Sequence, residues 1–158
     1  MRTFFKGFGL IGCSGALVVL LGAGGVAAKP PAKQVKVSCT STAYNVSYPQ
    51  LSGLALGVLQ CSKPFGSGVQ KAKNKATIAG TKVTVTGTFT NYFASGTNHG
   101  TLQLSGTLST GAINASGHLT VTGGTGAYKH IKGTGTVSCT TKDAGKTYKC
   151  KVSGKATM

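Results

Sequence analysis

The feature that most constrains the fold is an alternation of apolar and polar residues in short segments of the chain. Between Lys82 and Thr90, the apolar residues Val83, Val85 and Phe89 stand at odd positions, with threonines between them. Successive side chains of a β-strand point to opposite faces, so this spacing predicts a strand with one buried face. The same pattern recurs at Val35, Val37 and Cys39; Leu102, Leu104 and Leu108; Leu119 and Val121; Val137 and Cys139; Tyr148, Cys150 and Val152.

Turns rich in glycine, serine and asparagine separate these segments, and no stretch has the spacing of a long amphipathic helix. With two less regular segments, 54–61 and 75–80, they make about eight strands. This count predicts an all-β domain, either a barrel or a sandwich. Two further stretches are predicted to be irregular. Residues 44–59 are expected to hold a short helix or an extended loop, and residues 62–75 a mobile, solvated loop.

The N-terminus has the layout of a secretory signal peptide. Met1–Lys6 carries two positive charges, and an uncharged, largely apolar run follows as far as Ala28. We expect cleavage after residue 28, a linker at 29–34 and a β domain at 35–158, with no stable membrane span left. An uncleaved anchor and a lipoprotein cleavage box at Leu10–Cys13 are the alternatives. The protein is therefore predicted to be secreted or associated with the cell envelope.

Loss of the signal removes Cys13 and leaves an even number of cysteines, which in an exported chain predicts disulfides. Cys139 and Cys150 are placed symmetrically about residues 143–146. If these four residues form a hairpin loop, the two cysteines face each other at a closely spaced, non-hydrogen-bonded position. We therefore predict a Cys139–Cys150 bond, which leaves Cys39 to pair with Cys61. A tetracysteine zinc site is the alternative, but the tight Cys-x-x-Cys pairs of structural zinc sites are missing; no metal or cofactor is expected.

The charge of the chain excludes several classes of function. Lysine and arginine number 17 against a single acidic residue, Asp143, so the formal net charge is +16. Without residues 1–28, 15 lysines and no arginine remain. Two-carboxylate glycosidases, aspartic-protease dyads, EF-hand calcium loops and carboxylate-held magnesium sites all need more than one carboxylate. The sequence therefore excludes them.

Nucleophilic catalysis is also not predicted. The chain has three histidines, His99, His118 and His130, and no Gly-x-Ser-x-Gly motif. His118 falls on the polar side of its strand, and His130 falls in a glycine-rich turn. Any serine–histidine–aspartate triad would have to recruit Asp143, and the exported cysteines are better used as disulfides than as nucleophiles. We therefore expect no hydrolase activity.

The most distinctive stretch is 121–135, Val-Thr-Gly-Gly-Thr-Gly-Ala-Tyr-Lys-His-Ile-Lys-Gly-Thr-Gly. Its glycines allow a tight turn under an aromatic side chain and entry into the next strand at Thr134, which predicts a barrel corner. The stretch resembles the Gly-Gly-Thr-Gly-x-aromatic-x-x-small-x-Gly motif of the superfamily that contains dirigent proteins and allene oxide cyclases. The matching residues are Gly123, Gly124, Thr125, Gly126, Tyr128 and Gly133, with Ile131 at the usual small position.

This resemblance implies an antiparallel eight-stranded β-barrel with a largely apolar cavity. It does not imply the activities of the plant members, because their acids lie inside the cavity and Asp143 falls in a predicted hairpin tip. A phosphate-binding loop is not expected either, since such loops lead into a helix and residues 134–137 continue as a strand.

On the last predicted hairpin, Tyr148, Cys150 and Val152 point inward, so the lysines between them point outward. Together with two lysines at the turn they form a predicted basic stripe: Lys142, Lys146, Lys149, Lys151 and Lys155. The stripe either keeps the protein soluble or attracts polyanions such as wall teichoic acids, anionic lipids or nucleic acid. Lysine without arginine gives diffuse attraction, so sequence-specific nucleic-acid binding is not expected.

These observations predict a secreted, non-enzymatic, disulfide-stabilised β-barrel. Its expected partner is either a small apolar ligand in the barrel or an anionic polymer of the cell envelope at the basic surface. One alternative is an enzyme of the cyclase or isomerase type that uses tyrosine and histidine in the cavity instead of acids. The other is a cationic polyanion-binding or antimicrobial protein.

Overall fold

Antiparallel pairing joins each strand to the next in sequence, and the first strand to the last, in a computed structural model that describes residues 32–158. The strands are β1 (Gln34–Asn45), β2 (Gly53–Cys61), β3 (Ser67–Ala79), β4 (Lys82–Phe93), β5 (Gly96–Ser109), β6 (Ala112–Gly124), β7 (Lys132–Thr141) and β8 (Thr147–Thr157). A short 3-10 helix, Gly126–Tyr128, lies between β6 and β7. The prediction of an all-β protein is confirmed, and the closed eight-stranded barrel replaces the alternative of a sandwich.

The predicted mobile loop at 62–75 is wrong for most of its length, because β3 begins at Ser67. In this strand the lysines point outward, and the inward positions hold Gln70, Ala72 and Asn74. The alternation is present, but its inward positions lack large apolar residues, so the sequence pattern does not indicate a strand with a buried face. Residues 44–59 hold no helix: β1 ends at Asn45, and β2 begins at Gly53.

Inward side chains fill the barrel, and glycines allow some neighbouring strands to lie very close to each other. A Cβ atom on Gly100 would lie 1.9 Å from the carbonyl oxygen of Thr120, and one on Gly106 would lie 1.9 Å from that of Asn114. No side chain fits there, so glycine permits the close approach of β5 and β6 at these two positions. Val83, at 1% exposure, is the most buried side chain of the cluster that it forms with Leu104, Ile113, Ala115 and Val137.

One end of the barrel is closed by an aromatic plug, which we define as Phe65, Phe93 and Tyr128. The three ring centroids lie 5.0 to 5.8 Å apart, and Tyr128 is only 2% exposed. The glycine-rich segment forms the turn that carries Tyr128, with Gly126 at a φ of +59°. The next strand begins at Lys132, two residues before the predicted entry at Thr134.

Two disulfides cross-link neighbouring strands, and both pairings are those that the sequence predicts. Cys39–Cys61 joins β1 to β2, and Cys139–Cys150 joins β7 to β8, with Cα–Cα distances of 4.0 and 4.1 Å. The zinc-site alternative is therefore wrong. The β1–β8 pairing that closes the barrel lies between the two bonds. We call β7, β8, β1 and β2 the cross-linked sector.

The predicted signal peptide and the first residues of the predicted linker lie outside the described residues. Among residues 32–158, no helix has the length and apolar character needed to cross a membrane.

Candidate functional site

The lysines of β8 alternate with inward residues, so they project from the outer surface of the cross-linked sector. Lys149, Lys151 and Lys155 are exposed, and Lys142 and Lys146 are exposed in the loop between β7 and β8. Alternate residues of a strand are about 7 Å apart. The five lysines predicted to form a stripe are therefore all on the exposed surface, from the β7–β8 loop along β8.

The neighbouring strands add a further lysine and a border of hydroxyl groups. Lys36 on β1 lies directly opposite Lys155. Thr42 and Thr40 on β1 are opposite Lys149 and Lys151. On β7, the partners of Lys149, Lys151 and Lys155 are Thr140, Ser138 and Thr134. We define the β8 basic face as Lys36, Lys149, Lys151, Lys155 and these five hydroxyl residues.

No carboxylate side chain neutralises the β8 basic face. The only acidic residue, Asp143, is occupied in its own turn, where it accepts hydrogen bonds from the Thr141 hydroxyl and, at 2.9 Å, from the Thr147 amide. These two bonds lower the pKa of Asp143 to about 2. Like charges directly opposite each other on neighbouring strands are destabilising, and the Lys36–Lys155 pair is such an arrangement.

A second row of lysines, which the sequence analysis missed, lies on β3. Lys71, Lys73 and Lys75 are exposed at alternate positions. Their β4 neighbours are threonines, but on β2 the residues opposite Lys71 and Lys73 are Leu56 and Leu54. The clue in the sequence was the Lys-x-Lys-x-Lys spacing itself, which has the same period of two as the buried segments.

The interior holds two cavities, of about 110 and 70 Å³. The larger one is lined mainly by apolar side chains, and its polar side chains form hydrogen bonds with one another. Ser41 donates to Gln70 at 3.4 Å, Gln70 donates to Asn91 at 3.1 Å, and Asn91 donates to Asn98 at 2.9 Å. Cavities of roughly 150 Å³ hold benzene, and sites for larger ligands measure roughly 300–1,000 Å³. These volumes fit only a small apolar molecule.

The groups considered for catalysis are not brought together. His99, His118 and His130 are exposed, and the residues that line the two cavities include none of them. Tyr148 lines the smaller cavity, and its pKa is raised by burial and by the nearby Asp143 carboxylate. Within residues 32–158, no group of three or more histidine, cysteine or acidic residues is placed to hold a metal ion.

Comparisons of the chain with protein-family models, with curated proteins and with solved structures find no match. The resemblance to the dirigent and allene oxide cyclase superfamily therefore stays a prediction from residues 121–135. The candidate site rests on the geometry of this chain alone.

Proposed function

We propose that the protein is a secreted, non-enzymatic β-barrel that binds an anionic polymer of the cell envelope through the β8 basic face. Ammonium groups attract the phosphates or carboxylates of such a polymer, and the flanking hydroxyls donate hydrogen bonds to the same oxygens. The disulfides fit an oxidising compartment, in agreement with export.

The observation that carries this proposal is the pairing of Lys36 with Lys155. A surface that only kept the protein soluble would gain stability from a neutral or acidic residue at either position, since opposed like charges cost free energy. A bound polyanion removes this repulsion. The repulsion between the two lysines is therefore the expected signature of a surface completed by an anionic partner.

The rigidity of the cross-linked sector supports the same function. The strand that carries Lys149, Lys151 and Lys155 is bonded to β7 through Cys139–Cys150, and its other neighbour, β1, is bonded to β2. Holding the ammonium and hydroxyl groups in place reduces the ordering that binding requires.

The test compares two variants that lose the same charge from different strands of the barrel, β8 and β3. In the β8 variant, glutamine replaces Lys149, Lys151 and Lys155. In the matched control, glutamine replaces Lys71, Lys73 and Lys75. Binding to a soluble polyanion, such as polyphosphate or isolated teichoic acid, is measured by calorimetry over a range of salt concentrations. We expect the β8 variant to lose roughly ten- to hundredfold in affinity and to show a shallower salt dependence. The control should lose clearly less.

Equal losses in the two variants would mean that total charge, and not the β8 basic face, sets the affinity. Unchanged binding by the β8 variant would overturn the proposal directly. The control replaces exposed outward residues and should keep a melting temperature close to that of the parent protein. The β8 variant should melt slightly higher, because the replacement of Lys155 by glutamine removes the repulsion with Lys36.

A small apolar ligand in the barrel is the second candidate, and the observation in its favour is the apolar lining of the two cavities. The volumes limit such a ligand to a molecule no larger than benzene. A thermal-shift screen with small aromatic and aliphatic molecules tests it, because a ligand that binds only the folded barrel raises the melting temperature. Stabilisation by polyanions alone would leave the β8 basic face as the binding site.

A further inference from the structure

The outer face of β2, β3 and β4 combines exposed apolar side chains with lysines. Val58 on β2 lies opposite Val69 on β3, which in turn lies opposite Tyr92 on β4. These three side chains form one row across three strands and are 56%, 52% and 44% exposed. Exposed apolar groups that are contiguous mark an interaction surface, whereas isolated ones do not.

A second row lies directly beside the first. Tyr44 on β1 is opposite Leu56 on β2, and both are about half exposed. Leu56 stands two residues from Val58 on the same strand, so the two rows are continuous. We define the apolar patch as Tyr44, Leu56, Val58, Val69 and Tyr92.

Lysines border this patch on one side. Lys71 lies opposite Leu56. Lys73 and Lys75 follow it along β3, at increasing distance from Val69. The long lysine side chain can lie along apolar surface and still reach an anionic group with its ammonium. The patch therefore presents apolar contact and positive charge next to each other.

We propose that the apolar patch and Lys71, Lys73 and Lys75 dock the barrel on the surface of an anionic lipid bilayer. Shallow insertion of apolar side chains, together with attraction of basic residues to anionic headgroups, is the general basis of peripheral membrane binding. Tyrosine suits the interfacial depth because its ring is apolar and its hydroxyl is polar. Of the patch residues, Tyr44 alone lies on a strand of the β8 basic face, β1, and the two surfaces share no residue, so the proposal does not depend on the polymer-binding function.

Charge is the argument for a bilayer over a second copy of the chain. A symmetric dimer through this face would bring the β3 lysines of two molecules together, and each chain has only one acidic side chain, in the β7–β8 loop. The repulsion would have no compensation, since no carboxylate stands on this face. A hydrated polymer, for its part, offers nothing for Leu56, Val58 and Val69 to contact. An anionic bilayer supplies both the apolar boundary and the negative charge.

The absence of tryptophan from the chain allows a direct test. Tyr92→Trp places a single reporter in the apolar patch, and Thr140→Trp places one beside Lys149 on the β8 basic face. We expect phosphatidylglycerol-containing vesicles to shift the Tyr92→Trp emission to shorter wavelength and to leave the Thr140→Trp emission unchanged. Phosphatidylcholine vesicles should have little effect on either. Equal shifts at both positions, or none at Tyr92→Trp, would overturn the proposal, as would a shift without vesicles that grows with protein concentration and so reports a second copy.

Vesicle sedimentation separates the contribution of the lysines to membrane binding from that of the apolar side chains. Lys71→Gln with Lys73→Gln should weaken binding to anionic vesicles roughly 30-fold, and Lys149→Gln with Lys151→Gln should weaken it far less. The triple variant Leu56→Thr, Val58→Thr, Val69→Thr keeps strand-forming residues but removes apolar surface, and it should bind at least several-fold more weakly even at high salt. If the two lysine pairs have equal effects, or if the threonine variant binds like the parent, the barrel does not dock through this face.

Discussion

Two faces of the same barrel carry rows of lysines at alternate positions, and the residues opposite those lysines distinguish them. On β8 the neighbours are four threonines and one serine of β1 and β7, with Lys36 opposite Lys155. On β3 the neighbours are threonines on one side and Leu54 and Leu56 on the other. The same lysine spacing therefore gives a wholly polar surface in one sector and an amphipathic one in the other. Net charge alone describes neither.

The two faces also differ in the disulfide cross-linking of their strands. The β8 basic face lies in the cross-linked sector, between Cys39–Cys61 and Cys139–Cys150, whereas strands β3 to β6 hold no disulfide. We expect the β8 basic face to keep its geometry without a partner and the β3 and β4 part of the second surface to be the more adaptable, whereas Tyr44, Leu56 and Val58 lie on the cross-linked strands β1 and β2. A rigid array suits repeated charges on a polymer, and an adaptable surface suits a fluid bilayer.

The largest expected effect comes from removing the cross-links. The bonds close loops with sequence separations of 22 and 11 residues. Each contributes about 3 kcal/mol to the free energy of unfolding on loop entropy. Reduction should therefore lower the denaturation midpoint strongly. Hydrogen exchange under reducing conditions that leave the barrel folded should show protection lost first in β1 and β8, and equal loss in β3 and β4 would remove the proposed difference in rigidity.

A smaller effect is expected from reversing one charge of the opposed lysine pair. Lys155→Glu turns the repulsion with Lys36 into a cross-strand attraction and should raise the free energy of unfolding by about 1 kcal/mol. Lys151→Glu is the matched control, because Lys151 stands opposite Thr40 and Ser138 and has no such repulsion to relieve. Chemical denaturation measures both. A similar gain in the two variants would show that general charge reduction is responsible.

The same pair of variants separates stability from binding. Both should bind soluble polyanion more weakly than the parent, because each places a carboxylate in the β8 basic face. A Lys155→Glu variant that is more stable but binds less well would show that the repulsion between Lys36 and Lys155 lowers the stability of the fold and favours binding. Retained binding by Lys155→Glu would argue that Lys36 and Lys155 lie outside the contact.

The smallest effect concerns Asp143. Its pKa of about 2 in the folded protein is below the value of about 3.9 of an unfolded chain. The group therefore stabilises the fold fully above about pH 4, and this contribution is lost as the pH falls through 4 toward 2. Asp143→Asn should abolish this dependence in melting curves recorded from pH 6 to 2. A wild-type melting temperature that stays constant over this range would show that the hydrogen bonds from Thr141 and Thr147 do not favour the carboxylate.

The alternation of Val83, Val85 and Phe89 predicted β4 correctly because its buried positions are large and apolar. The same reasoning failed at β3, whose inward residues include Gln70 and Asn74. Gln70 is satisfied by Ser41 and Asn91, partners far away in the sequence, so no local pattern predicts its burial. The pairing of Cys139 with Cys150 was predictable because hairpin register is local.

The β8 basic face was predictable only in part. The lysines after position 140 lie on one hairpin and were found from strand parity. Lys36 was not, because its place opposite Lys155 depends on the closure of the barrel between the first and last strands. The apolar patch depends in the same way on pairing across β1, β2, β3 and β4. Period-two patterns locate the outward residues, but only the register brings them together.

We expect a soluble anionic polymer to contact the β8 basic face and not the lysines of β3. Backbone amide chemical shifts of the isotope-labelled protein, followed during titration with polyphosphate at moderate salt, test it without any substitution. We predict that the largest changes fall on Lys36, Thr40 and Thr42 of β1, on Lys149, Lys151 and Lys155 of β8, and on their β7 partners, while Lys71, Lys73 and Lys75 change little. Changes of equal size on both rows of lysines would show that the polymer does not distinguish the β8 basic face from β3.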